Sequence, residues 1–133
     1  MKNSKRLYYL DDDNDDLYFF RETAEQLGHK VYLFVDGNEL LSALRKKPFP
    51  DVVFLDIHMP IYGGEEILDI IRKSEQWKDI PIVMISGILQ KKLVRHYLDA
   101  GASHLMKKPG VGDWKVMLES VLDINWSTYQ AFN

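Results

Sequence analysis

Residues 52–60, VVFLDIHMP, form a short apolar run that ends in a carboxylate. Four apolar residues, Val52 to Leu55, follow one another without a polar residue between them, and Asp56 comes next. An unbroken apolar run of this length indicates a β-strand buried on both faces, because a strand with one face in water alternates polar and apolar residues. Strands covered on both faces are typical of parallel sheets with helices on each side. The stretch therefore predicts an α/β protein.

Similar apolar runs occur along the rest of the chain, at residues 7–10, 31–35, 82–85 and 103–106. Each run is followed by apolar residues at spacings of three and four, which indicates one face of a helix. Strand–helix alternation repeated five times predicts a (βα)5 unit with a five-stranded parallel sheet and helices on both faces. This unit accounts for residues 1–125, so we expect one domain there and a C-terminal tail at residues 126–133.

Composition excludes several function classes. A chain of 133 residues with 46% hydrophobic residues is long enough for one compact core. The absence of cysteine excludes disulfides, thiolate metal sites and a cysteine nucleophile. Lysines and arginines are dispersed and the net charge is −3, so there is no electrostatic footprint for nucleic acid and no DNA-binding domain is expected. No apolar segment reaches the length of a signal peptide or membrane span, which predicts a cytoplasmic protein without membrane attachment.

Polar side chains follow four of the predicted strands, and in an open parallel sheet ligands bind beyond the carboxyl ends of the strands. Asp11 and Asp12 follow the first run, and Asp56 ends the third. Ser86 follows the fourth run and Lys108 the fifth. We therefore expect three carboxylates, a hydroxyl and an ammonium group to converge on one edge of the sheet.

Four motifs, each ending its strand, together resemble the receiver domains of bacterial two-component systems over essentially the whole chain. They are LDDDNDD, FLDIHMP followed by Gly64, MISG and KKP. The resemblance implies a flavodoxin-like strand order of 2-1-3-4-5 and a stand-alone receiver similar to those of chemotaxis. It also implies that Asp56 accepts a phosphoryl group from a phosphohistidine of a sensor histidine kinase or histidine phosphotransfer protein. Phosphorylation then alters a surface that binds a downstream protein target.

The resemblance further implies a Mg²⁺ site and a role for each residue in it. Asp12 would be a direct ligand and Asp11 a ligand through water. Asp56 and the backbone carbonyl of His58 would be the remaining protein ligands of the ion. Electrostatics agree, because carboxylates about 4 Å apart repel by roughly 4 kcal/mol at an effective dielectric near 20. A third carboxylate makes the cluster untenable unless protons or a cation neutralise it. Oxygen ligands with room for waters suit Mg²⁺.

The remaining roles that the resemblance implies concern the fourth and fifth strands. Ser86 takes the place of the switch hydroxyl, and Lys108 that of the lysine that contacts the phosphoryl group. Lys108 lies two strands from Asp56, about 9–10 Å, and a lysine side chain can bridge that distance. The Lys108–Pro109 bond is often cis in the family. Receivers usually carry Tyr or Phe three residues before this lysine, but here the residue is Leu105, so the coupling to the output face is expected to differ.

The other acidic residues near the first strand have a simpler interpretation. Asp13 or Asn14 is well placed to cap the first helix. Asp15 and Asp16 suit the positive end of the helix dipole. We therefore interpret Asp13, Asp15 and Asp16 as structural.

Two alternative functions remain open. A hydrolase with an aspartyl nucleophile, similar to haloacid-dehalogenase-like phosphatases, would carry a D-x-D signature, but the second residue after Asp56 is His58. The other alternative is a receiver-like interaction module that is never phosphorylated. On the favoured interpretation, the protein catalyses only its own phosphorylation and dephosphorylation and is otherwise not an enzyme. The sequence leaves a homodimer open.

Overall fold

The computed structural model describes residues 4–59 and 63–129, and within them five strands alternate with five helices. The strands are β1 (Arg6–Leu10), β2 (Lys30–Phe34), β3 (Val52–Asp56), β4 (Ile82–Ser86) and β5 (His104–Lys107). The helices are α1 (Asn14–Gln26), α2 (Gly37–Leu44), α3 (Gly64–Lys73), α4 (Lys91–Asp99) and α5 (Trp114–Leu122). All strand pairs are parallel and the order is 2-1-3-4-5, which confirms the predicted α/β fold.

The sheet separates two apolar cores, one on each face. Every residue of β3 and β4 is buried, as the unbroken apolar runs predicted. Side chains alternate along each strand, so Leu7 and Tyr9 of β1 belong to the core under α1 and α5. Tyr8 and Leu10 belong to the opposite core, with buried residues of α2, α3 and α4. Both faces are therefore covered, and the strand ends are the places where polar side chains can gather.

Local features fix the helices that flank these strand ends. Asp13 caps α1, because its Oδ1 accepts hydrogen bonds from the backbone N–H groups of Asp15 and Asp16 at 2.9 and 3.1 Å. At the start of α3, a Cβ on Gly64 would lie 2.6 Å from the carbonyl oxygen of Asp56. Only glycine allows this close approach, so α3 begins directly against the end of β3.

The C-terminal part of the described chain still contacts the domain. Trp126 packs against the core under α1 and α5, and Tyr129 Oη lies 2.8 Å from His104 Nδ1. The predicted domain limit at residue 125 stays a prediction, and residues 130–133 of the predicted tail lie outside the described residues. In the described ranges, 4–59 and 63–129, none of the helices combines the length and apolarity that crossing a membrane requires.

Candidate functional site

The polar groups that were predicted at the carboxyl edge of the sheet lie there. Asp11 directly follows β1, Asp56 and Ser86 are the last residues of β3 and β4, and Lys108 directly follows β5. Within the described part of the chain, Asp11, Asp56 and Ser86 are the polar side chains that are buried. β3 lies between β1 and β4, so the sheet itself holds these three side chains next to one another.

Three carboxylates at this edge could hold a metal ion. Asp11, Asp12 and Asp56 each offer an oxygen, and these oxygens lie within 4.8 Å of one another. Asp11 and Asp56 are 0% and 2% exposed, whereas the side chain of Asp12 faces solvent. A cluster of carboxylate oxygens with one side open to water fits a hard divalent cation such as Mg²⁺, which binds oxygen ligands and keeps several waters.

The surroundings of Asp56 make its ionisation unfavourable. Burial and the nearby charge of Asp11 raise the pKa of Asp56 to about 6, although the backbone N–H of His58 and the ammonium of Lys108 oppose the shift. The His58 N–H donates to Asp56 Oδ1 at 3.2 Å. At neutral pH the Asp56 side chain is therefore mainly a carboxylate, but one in a place where negative charge is poorly stabilised.

Lys108 supplies the positive charge at this edge. Its Nζ lies 3.1 Å from Asp11 Oδ2, 3.9 Å from Asp56 Oδ2 and 2.7 Å from Asp16 Oδ2. Burial disfavours the charged form, but the hydrogen bond to Asp16 and the charges of Asp11 and Asp56 outweigh it and raise the pKa of the Lys108 ammonium. Lys108 is therefore a permanent cation surrounded by carboxylates.

The side chains of Ser86 and His58 approach each other at the same edge of the sheet. The Ser86 hydroxyl donates to the carbonyl oxygen of Ile88 at 2.8 Å and lies 3.2 Å from the backbone nitrogen of Ile88. The His58 ring is exposed, and its Nε2 lies 3.4 Å from Ser86 Oγ. A hydroxyl and an imidazole therefore lie close together at the end of β4, the strand next to the one that carries Asp56.

The sequence of the chain matches a known protein family. The model of the response regulator receiver domain matches residues 8–118. This chain is a receiver domain. Membership in the family and the relatives from two-component systems support phosphorylation-dependent signalling.

Among known proteins, the receiver domain is similar to part of the CAI-1 autoinducer sensor kinase/phosphatase CqsS of Vibrio cholerae. The two are 31% identical over 121 residues, which is 90% of this chain and 17% of that protein. The chain thus spans about a sixth of the length of this relative. The Mn²⁺-bound form of response regulator Rcp1 superposes with a TM-score of 0.79 at 19% identity and covers 97% of this chain and 99% of the other. The phosphorylated cyanobacterial phytochrome response regulator RcpA superposes with a TM-score of 0.82 at 22% identity and covers 96% and 98%.

Most of the predicted site residues of the receiver domain lie together, and their individual roles stay predictions. The residues brought to one edge are Asp11, Asp12, Asp56, Ser86, Lys108 and the backbone of His58. The cis Lys108–Pro109 bond suggested by the resemblance is not found, since the cis bond in the described ranges is Lys47–Pro48. Leu105 is buried in the core under α2, α3 and α4, where receivers usually place an aromatic ring.

Three contacts at the site were missed from the sequence. The hydroxyl of Tyr9 donates to Asp11 Oδ2, and the backbone N–H of Asp13 donates to Asp11 Oδ1 at 3.0 Å. Burial and the charge of Asp11 raise the pKa of the Tyr9 hydroxyl, so it is a permanent donor. Asp16, interpreted as a dipole-stabilising residue, has its carboxylate against Lys108. The available signal was that Asp16 lies in the helix turn after β1, at the same edge of the sheet.

Proposed function

We propose that this receiver domain takes up a phosphoryl group on Asp56 and passes on a signal through a changed protein-binding surface. One observation carries the proposal: a buried carboxylate, Asp56, lies 3.9 Å from the ammonium of Lys108 and within 4.8 Å of two further carboxylates. No other carboxylate among the described residues combines the end of a central strand with such surroundings.

The reaction follows from the positions of these side chains. A carboxylate oxygen of Asp56 attacks phosphorus, a P–O bond forms, and the P–N bond of a donor phosphohistidine breaks with its electron pair returning to the imidazole. Phosphoryl transfer depends mainly on positioning and on neutralising charge at the phosphoryl oxygens. Lys108 supplies a cation and Ser86 a hydroxyl at the edge of the sheet where Asp56 lies. The raised pKa of Asp56 also means that its carboxylate is more basic than that of an ordinary aspartate.

Mg²⁺ is the cofactor that we propose, held by Asp11, Asp12, Asp56 and the backbone carbonyl of His58. When bound, it would neutralise the carboxylates and the phosphoryl oxygens. Both oxygens of Asp11 already accept hydrogen bonds, from Tyr9 and from the backbone of Asp13, whereas Asp12 is exposed. This supports Asp12 as the direct ligand and Asp11 as a ligand through water. The Mn²⁺-bound form of Rcp1 supports a divalent cation in this fold.

The partners are part of the same proposal. The phosphoryl donor would be a sensor histidine kinase or a histidine phosphotransfer protein, and the recipient of the signal a downstream protein target in the cytoplasm. The domain would act as an enzyme only on itself, by catalysing its own phosphorylation and dephosphorylation. The sensor kinase of Vibrio cholerae to which the chain is similar supports a two-component setting.

The test is incubation with Mg²⁺ and acetyl phosphate, followed by intact mass spectrometry. We expect one phosphoryl adduct on the wild type and none on Asp56→Asn. A matched control is Asp69→Asn, which changes an exposed carboxylate on α3 and should leave the adduct unchanged. Steady release of phosphate from many phosphomonoesters without an adduct would indicate the hydrolase, and neither adduct nor release would indicate an interaction module.

A further inference from the structure

The nearest partner of the Lys108 ammonium is not the proposed phosphoryl acceptor. Asp16 Oδ2 lies 2.7 Å from Lys108 Nζ, whereas Asp56 Oδ2 lies 3.9 Å away, beyond hydrogen-bonding distance. The side chains of Lys108 and Asp16 are 24% and 21% exposed, so water screens their attraction only in part. In this structure the cation is therefore held mainly by a residue that has no place in the proposed phosphoryl transfer.

The backbone fixes Asp16 in this position. It lies in the first turn of α1, where its N–H donates to Oδ1 of the capping residue Asp13 at 3.1 Å. Its carboxylate is not one of the three that could hold a metal ion, but it shares Lys108 with two of them, Asp11 and Asp56. Its neighbour Asp15 has the same charge and the same capping contact, but is exposed to solvent.

We propose that Asp16 is a positioning residue that competes with the phosphoryl group on Asp56 for the ammonium of Lys108. The inference rests on the proposed function. An ammonium group has three N–H donors. One is directed at Asp16 and one at Asp11. For a charge-assisted hydrogen bond to a group on Asp56, Lys108 Nζ must move about 1 Å closer to Asp56 than its present 3.9 Å. That approach weakens the Asp16 contact, so Asp16 opposes it.

Charge acts in the same direction. The Asp16 carboxylate lies within about 7 Å of Asp56, since each has an oxygen close to Lys108 Nζ. A negative charge at that distance repels an incoming phosphoryl group appreciably in a partly buried site. Neutralising Asp16 therefore both frees Lys108 and removes a repulsion. If Asp16 instead held Lys108 ready for the phosphoryl group, its neutralisation would have the opposite effect.

Whether neutralising Asp16 strengthens or weakens binding at Asp56 can be measured with beryllofluoride, which mimics a phosphoryl group on a carboxylate, at saturating Mg²⁺. We expect Asp16→Asn to bind it about tenfold more tightly than the wild type. Asp15→Asn removes an equal charge one residue away without touching Lys108, and should change the affinity less than about twofold because an exposed charge is well screened. Asp16→Glu should return the affinity towards that of the wild type.

A double-mutant cycle separates competition from a general effect of charge or folding. In a Lys108→Ala background, Asp16→Asn should lose most of its effect, because the cation for which Asp16 competes is absent. Melting temperatures of all variants, measured without beryllofluoride, report any structural effect separately. A gain that persists unchanged without Lys108 would overturn the proposal.

The other outcomes also decide the matter. Weaker binding by Asp16→Asn, or an equal gain from Asp15→Asn, would show that Asp16 does not compete for Lys108 and would leave the proposed function intact. Absence of binding to the wild type and to every variant would overturn the proposed function and this inference with it. Tighter binding confined to Asp16→Asn and dependent on Lys108 would establish the competition.

Discussion

Two partly buried cations, Arg72 and Lys108, lie at opposite ends of the sheet and have contrasting partners. Arg72 of α3 donates to the carbonyl oxygens of Gly101 at 2.7 Å and Ile80 at 2.7 Å, near the starts of β5 and β4. It also bonds to the carbonyl of Lys78 and the hydroxyl of Ser103. Lys108, beyond the end of β5, is surrounded by carboxylates.

The contrast indicates that the amino end of the sheet serves stability and the carboxyl end serves function. Arg72 has uncharged acceptors in fixed positions, so one arrangement satisfies all of them and ties three segments together. Lys108 has more carboxylates around it than one cation neutralises, and Asp56 among them has a strongly raised pKa. Such a cluster is stabilised when a further cation binds. The amino end should therefore respond to mutation with lost stability, and the carboxyl end with lost reactivity.

The largest expected effect is on reactivity at Lys108. Lys108→Ala removes the cation beside Asp56, and we expect the rate of phosphoryl uptake from acetyl phosphate to fall at least about 100-fold, as when other preorganised charges are removed from transfer sites. The rate is measured by intact mass at saturating Mg²⁺. Lys107→Ala, an exposed neighbour, is the control. An unchanged rate in Lys108→Ala would contradict the role of Lys108 in phosphoryl uptake.

The converse effect is expected at Arg72. Arg72→Ala breaks four hydrogen bonds and leaves their acceptors to water, so the free energy of unfolding should fall by about 3 kcal/mol. Denaturant unfolding measures this, and phosphoryl uptake by the folded protein should keep the wild-type rate. The control Lys73→Ala loses one exposed ion pair with Asp69 and should cost less than about 0.5 kcal/mol. Equal losses in both variants would contradict the stabilising role of Arg72.

Removing the acceptor should make the protein more stable. The pKa of Asp56 is raised from the ordinary 3.8 to about 6. The folded state therefore binds this proton more tightly than the unfolded state. Its contribution to stability is fully present below about pH 3.8 and is lost as the pH rises through about 6. Without metal, Asp56→Asn should stabilise the protein by roughly 2–3 kcal/mol above about pH 7 and by little near pH 4. A gain that did not vary with pH would show that relief of the ionised carboxylate is not its cause.

A smaller effect should distinguish two carboxylates of the metal site. Asp12→Ala should weaken Mg²⁺ binding by about tenfold, and Asp11→Ala by less, because Asp12 is the proposed direct ligand. Calorimetric titration with Mg²⁺ measures both affinities. The order of the two losses is the test, and a larger loss in Asp11→Ala would exchange the roles of the two residues.

The smallest expected effect concerns the lifetime of the phosphoryl group. Ile88 lies two residues beyond Ser86, cannot orient a water molecule, and is expected to shield the phosphorus from attack. Ile88→Ala should therefore lose phosphate about threefold faster than the wild type, a modest change because the side chain is 63% exposed. His58→Ala should change the decay less than Ile88→Ala does, because the imidazole must be correctly oriented to assist a water molecule. Decay of the phosphoprotein after removal of the donor measures both, and an unchanged rate in Ile88→Ala would contradict the shielding.

The sequence predicted the fold well because the deciding signals are local. Apolar runs and the spacing of the helical residues depend on near neighbours, and the resemblance supplied the strand order, which periodicity alone does not determine. Asp13 as the cap of α1 was predictable for the same reason, since its partners are two and three residues away.

The missed features are contacts between distant parts of the chain. Arg72 reaches Gly101, 29 residues on, and nothing in the sequence pairs the two. The contact of Asp16 with Lys108 likewise depends on the placement of α1 against the end of β5. Tyr9 follows an apolar pattern as any core aromatic does, and only the structure shows its hydroxyl on Asp11. Side-chain partners of this kind depend on the tertiary arrangement.

The position of the phosphoryl group is the central claim. After incubation with acetyl phosphate and Mg²⁺, reduction with borohydride converts an aspartyl phosphate to homoserine, which peptide mass spectrometry locates. We predict homoserine at position 56 and at no other aspartate, including Asp11 and Asp12 beside it. Homoserine at Asp11, Asp12 or Asp16, with Asp56 unmodified, would contradict the assignment of Asp56 as the acceptor.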